Sequence, residues 1–127
     1  MPMTEKLVEK LINAGPFSRK LDLEISNTVG IPAKRLPSGY KQWSETTHRW
    51  RVLPRYISDI NAALTLVEQV LPGVRPKLEK GNELWNAELW RVTTFHTLEK
   101  LGRGEADDLP IAIMLALFNS LITKGGE

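Results

Sequence analysis

Apolar residues along this chain follow two different spacings, and the changes between them divide it into helices at the ends and strands in the middle. Leu7, Val8, Leu11 and Ile12 form one stripe at helical spacing behind Thr4, which can cap a first turn, and Gly15-Pro16 closes the segment. Ser18 opens a second, short helix in which Leu21, Ile25 and Val29 recur every fourth residue until Gly30 and Pro32 end it. Residues 31 to 45 hold Pro32, Pro37, Ser38 and Gly39, a composition that predicts a loop. THRWRVLP then alternates, Trp50 and Val52 to one side, Arg49, Arg51 and Leu53 to the other, as in a half-buried strand. The next stretch, RYISDINAALTLVEQVLPG, reads as a complete helical unit. Ser58 or Asp59 caps it, Ile60, Ala63, Leu64, Val67 and Leu71 share a face, and Pro72-Gly73 stops it.

VRPKLEK, residues 74 to 80, predicts an edge strand, since Pro76 has no N–H to donate and is excluded from a central place in a sheet. Gly81-Asn82 marks a turn. From Leu84 to His96, Trp90, Val92 and Thr94 alternate with Arg91, Thr93 and Phe95, which favours a strand. LGRGEADD, with two glycines, predicts a loop. Asp107, Asp108 and Pro110 then open a last helix, LPIAIMLALFNSLI, apolar nearly all round and therefore buried on more than one side. It is too short to span a bilayer. The predicted core is Leu7, Leu11, Leu21, Ile25, Ile60, Leu64, Val67, Ile113, Leu117 and Leu121. This order of elements predicts an α+β fold in a single domain over 1–127: an α/β/α sandwich, with helices on both faces of a small, mainly antiparallel sheet.

Composition narrows the function classes. The chain has 127 residues, 42% hydrophobic and 25% charged, as in an ordinary globule with one core. No cysteine is present, which excludes disulfides, thiolate metal sites and a cysteine nucleophile, and suits a reducing compartment. The start, MPMTEKLVEK, has charges where a signal peptide needs its apolar core, so a cytoplasmic protein is expected. The net charge of +2 is unevenly spread. Between Lys34 and Tyr56 six basic residues (Lys34, Arg35, Lys41, Arg49, Arg51 and Arg55) face the single acid Glu45, a local +5 that leaves −3 for the remainder. Tyr40, Trp43, Trp50 and Tyr56 lie in the same segment. Cations interleaved with rings suit a phosphate-bearing ligand with a flat base.

Three stretches resemble the phage ABA-sandwich domain family, small proteins of phages and prophages. LVEKLINAGPFSRKLDLEI is similar to its opening pair of helices, RYISDINAALTLV to its aromatic-Ser-Asp/Asn-Ala-Ala-Leu helix start, and DLPIAIMLALFNSLI to its closing helix. The final helix here is poorer in alanine than in many members. The resemblance covers nearly the whole chain and rests on caps and core residues. It implies an α/β/α sandwich and a phage or prophage origin, and no reaction. Similar in fold are the phage anti-Thoeris sponge proteins, which bind cyclic nucleotide signals of bacterial immunity and withhold them from the host effector.

Chemistry for catalysis is sparse. His48 and His96 are the only histidines, too few for a three-histidine metal site, and Glu105, Asp107 and Asp108 complement the dipole of the last helix. Gly102-Arg103-Gly104 ahead of that helix can meet a phosphate, or can simply be a flexible loop. No nucleophile elbow surrounds Ser18, Ser58 or Ser120. The expectation is therefore a non-enzymatic protein, without metal or cofactor, that binds a cyclic nucleotide-type small molecule as an anti-defence sponge and forms a homo-oligomer. Candidate ligand contacts are Trp43, Trp50 and Trp85 for a base and Arg49, Arg51, Arg91 and Arg103 for phosphates. Of the four tryptophans, Trp50 and Trp90 are expected in the core, Trp43 and Trp85 near the surface. The alternatives are a module that inhibits a host defence protein and a small nucleic-acid-binding protein. The low net charge, with no helix-turn-helix or zinc finger, weighs against the last.

Overall fold

The computed structural model describes residues 2–13 and 18–125, so the expected Gly15-Pro16 stop lies outside the described residues. Four helices and six strands follow one another as α1 (Pro2–Ile12), α2 (Arg19–Thr28), β1 (Ala33–Leu36), β2 (Gly39–Ser44), β3 (Arg49–Val52), α3 (Ile60–Val70), β4 (Arg75–Lys80), β5 (Trp85–Val92), β6 (Leu98–Ala106) and α4 (Leu109–Gly125). The α+β class holds, and all strand pairing is antiparallel. The strands, however, divide between two three-stranded sheets, β1-β2-β3 and β4-β5-β6, in place of the single sheet expected.

Local signals set most boundaries. Ser18 caps α2 by accepting a hydrogen bond from the Leu21 N–H, and Asp59 caps α3 by accepting from Asn61 and Ala62. Thr4 lies inside the first turn of α1 and is buried, so it does not cap that helix. Pro76 falls on β4, an edge strand of the second sheet, as its missing N–H requires.

Two expected loops are strands. Residues 31–45 contain all of β1 and β2, with Pro37-Ser38 forming the turn of a hairpin. LGRGEADD supplies most of β6, and its glycines explain why it pairs. A Cβ on Gly102 would come within 2.6 Å of the Ala116 carbonyl oxygen, and one on Gly104 would come closer still to that of Ala112. Both glycines thus let α4 lie directly on the sheet, a close approach that any side chain would prevent.

The core follows from that contact. Ile111 to Phe118 of α4 are all buried, meeting Ala87 and Leu89 of β5 on one side and Leu7 and Leu11 of α1 on the other. Helix α3 also packs on α4, but through Ala63, Leu66 and Val67. Of the predicted core, Leu7, Leu11, Leu21, Ile25, Val67, Ile113 and Leu117 are buried, Leu64 and Leu121 are partly so, and Ile60 is 41% exposed. Both stripes on α3 are apolar, so periodicity alone did not choose between them. Among the described residues no helix is long and apolar enough to cross a membrane.

Candidate ligand groove between the first sheet and the third helix

Register decides which basic and aromatic residues share a face. In the first sheet Gln42 stands opposite Ala33 and Arg51, and Ser44 opposite Arg49, while Trp43 stands opposite Trp50, and Lys41 opposite Lys34 and Val52. Side chains alternate along a strand, so Arg49, Arg51, Gln42 and Ser44 lie on one face, and Trp43, Trp50, Lys34, Lys41 and Val52 on the other. The arginine face points inward: Gln42 reaches Ser26 of α2, and Leu53, which continues this face, is fully buried. The tryptophan face points outward. There Trp43 and Trp50 pack edge to face with centroids 5.5 Å apart, Lys34 Nζ sits 4.3 Å from the Trp50 ring centre, and Val52 is 71% exposed. Trp50, expected in the core, therefore sits on the outer face beside Trp43.

The other candidates lie on the second sheet. Trp85 packs partly against the core, with Lys80 over its ring, and Trp90, also expected in the core, is on the outer face. On this sheet Arg91 pairs with Glu99 at 3.2 Å, and Arg103 with Asn86 and Glu105. The indole N–H of Trp90, with Lys100, holds the Glu88 carboxyl below its usual range. The seven candidates thus form three groups: Arg49 with Arg51, Trp43 with Trp50, and the set on the second sheet. Gly102 and Gly104 face α4, so Arg103 is not part of a phosphate-binding loop.

Where the inward face of β2 and β3 runs past the core, it meets α3 across a groove of about 610 Å³. This volume suits a small molecule. Its lining is mainly hydrogen-bonding: Gln42, Ser44, Thr46, Arg51 and Tyr56 on one side, Asn61, Thr65 and Gln69 on the other, with Trp43 at the border. The acids in the wall are already engaged, Glu45 by the Trp43 indole N–H and Asp59 by the cap of α3. Arg51 has no ion pair among the described residues. The groove wall therefore carries one guanidinium without an ion pair, alongside two carboxylates, Glu45 and Asp59, that accept from neutral N–H groups.

A buried polar network holds the groove in shape. Asp22 of α2, 1% exposed, accepts from Arg19 at 2.7 Å and from the Ile57 N–H at 3.1 Å, while Arg19 also donates to the carbonyls of Leu53 and Pro54. This pins the 53–57 segment and so places Tyr56. Burial pushes the Asp22 carboxyl above its usual range despite these bonds. Burial likewise raises the Tyr56 phenol, opposed by a hydrogen bond from Gln42. Sequence reasoning did not name Gln42, Ser44, Asn61, Thr65 or Gln69 as site residues. Recognising residues 45 to 48 as the turn of a hairpin, with Ser44 opposite Arg49, would have put Gln42 beside Arg51.

The described residues bring together no group of three His, Asp or Glu side chains able to hold a metal ion. No protein-family model, curated protein or solved structure matches the chain.

Proposed function

We propose that this chain is a non-enzymatic binding protein that sequesters a small phosphorylated ligand with a flat base, of the cyclic nucleotide class, in the groove between the first sheet and α3. The observation that carries the reading is Arg51, a guanidinium on the groove wall with no ion pair among the described residues. Arg49 lies two residues away on the same face and adds to the positive field. Trp43 at the border supplies a ring for a base. Sequestration needs affinity and abundance, not turnover, and the groove presents no nucleophile paired with a base. The family resemblance supplies the setting, a phage or prophage protein in the host cytoplasm that withholds an immune signal.

Calorimetric titration with cyclic ADP-ribose isomers and cyclic dinucleotides tests this. The expected result is binding to at least one of them, weakened about tenfold or more by Arg51→Ala and reduced by added salt, with the ligand recovered intact after heat denaturation. Absence of binding at millimolar ligand rejects the reading, as does tight duplex DNA binding without any response to dinucleotides. A second reading, a module that docks on a host defence protein, draws on the β5–β6 hairpin tip. There Val92, Phe95 (86% exposed) and Leu98 form an exposed apolar cluster.

A further inference from the structure

The hydrogen-bond chain under the groove has a definite direction, fixed by a single carbonyl. Ser26 Oγ lies 2.6 Å from the Ile31 carbonyl oxygen, which can only accept, so the one hydroxyl proton of Ser26 is committed there. Gln42 Nε2, 2.9 Å from Ser26 Oγ, must then donate to it. The same nitrogen lies 2.6 Å from Tyr56 Oη, and an amide nitrogen does not accept, so its second proton goes to Tyr56. This settles the orientation of the Gln42 amide from the network itself. It also leaves the Tyr56 hydroxyl proton without an acceptor among the described residues. Tyr56 is 2% exposed, and the surface it does present lines the groove. Gln42 Oε1, the other branch of the same amide, likewise accepts no hydrogen bond from the described residues.

A buried donor with no protein acceptor is costly unless something else takes the proton. We infer that Tyr56 is the groove's specificity donor: its O–H, with Gln42 Oε1 as the neighbouring acceptor, reads the hydrogen-bonding edge of a nucleobase whose phosphate Arg51 holds. This rests on the nucleotide-binding reading above and adds to it the way the base is recognised. Every nucleobase carries a donor and an acceptor side by side on one edge, which matches an O–H beside a carbonyl oxygen. Gln42 and Arg51 are cross-strand partners, so the base and phosphate contacts come from adjacent positions on two strands. The network also explains why the donor is rigid. Ser26 is fully buried on α2, and its bonds to Ile31 and Gln42 fix the amide that faces Tyr56.

The test titrates the full chain with adenosine 5′-monophosphate, guanosine 5′-monophosphate and ribose 5-phosphate, which has the phosphate and no base. Wild type should bind at least one nucleotide about tenfold or more tightly than ribose 5-phosphate. Tyr56→Phe keeps the ring and removes only the hydroxyl. It should erase most of that preference while leaving ribose 5-phosphate affinity unchanged, whereas Arg51→Ala should weaken all three. Equal wild-type affinity for nucleotides and ribose 5-phosphate, or an unchanged preference in Tyr56→Phe, overturns the inference and leaves the anion groove standing. Failure of wild type to bind any of the three overturns the inference, while the titration with cyclic nucleotides decides the groove reading separately. The wild-type comparison needs no mutant, so it decides even if Tyr56→Phe does not fold.

Discussion

At the scale of single residues, the positions that matter most are those where composition alone misleads. Gly102 and Gly104 resemble loop glycines in the sequence, yet each is the point where β6 touches α4, with backbone atoms of the helix in the way of any Cβ. Backbone cannot swing aside as a side chain tip can. Gly104→Ala should therefore cost at least about 1–3 kcal/mol of stability in chemical denaturation, the range for overpacking a tight core. An unchanged midpoint would mean that helix and strand are not in contact there. Asp22 makes a prediction with a sign. Its folded-state value is raised by burial, so the stability it contributes is fully present below its unfolded value, near 3.8, and is lost as pH rises through the folded value. Asp22→Asn should accordingly gain on wild type as melts are taken from about pH 4 to pH 7. A wild-type advantage that grows over the same range would show that the Arg19 pair outweighs the burial.

At the scale of elements, the helices were legible in the sequence because each carries an apolar surface at helical spacing, and α2 and α3 carry a capping residue besides. Ser18 and Asp59 do the capping their residue types suggest, and α4 is buried as its all-round apolar surface demands. The strands at 75–80 and 85–92 were legible from Pro76 and from β-branched and aromatic content. The hairpin of β1 and β2 was not, because β1 carries as many cations as apolar residues and Pro37-Ser38-Gly39 leads from it into β2. Strand β6 was hidden by glycines chosen for helix contact. The rotation of α3 was ambiguous for a different reason, since two apolar stripes compete on it. Paired substitutions settle that rotation. Leu66→Ala should cost about 2–5 kcal/mol, the usual range for emptying a packed core position, and Ile60→Ala well under half as much. Similar losses from the two would put the wrong face against α4.

At the scale of the whole molecule, the charge distribution separates the two sheets by role. On the second sheet, Lys77, Arg91, Lys100 and Arg103 each have an acid within reach, so its charges largely compensate one another. On the first, Arg49 and Arg51 have no ion pair among the described residues, and Glu45 is the one acid against six cations between Lys34 and Tyr56, a local +5. The sequence showed that a basic, aromatic segment existed. It did not show which residues share a face, because that depends on a hairpin register which periodicity did not reveal. The four tryptophans make the central claim directly measurable, since Trp43 borders the groove, Trp50 packs against Trp43 on the outer face, and Trp85 and Trp90 lie on the other sheet. In a proton–nitrogen correlation spectrum titrated with a cyclic dinucleotide, the Trp43 indole signal and the backbone amides of Gln42, Arg51, Asn61 and Thr65 should shift together toward saturation while the Trp85 and Trp90 indoles stay in place. Shifts centred on Trp85 or Trp90 with the groove amides unmoved would contradict a ligand site between the first sheet and α3.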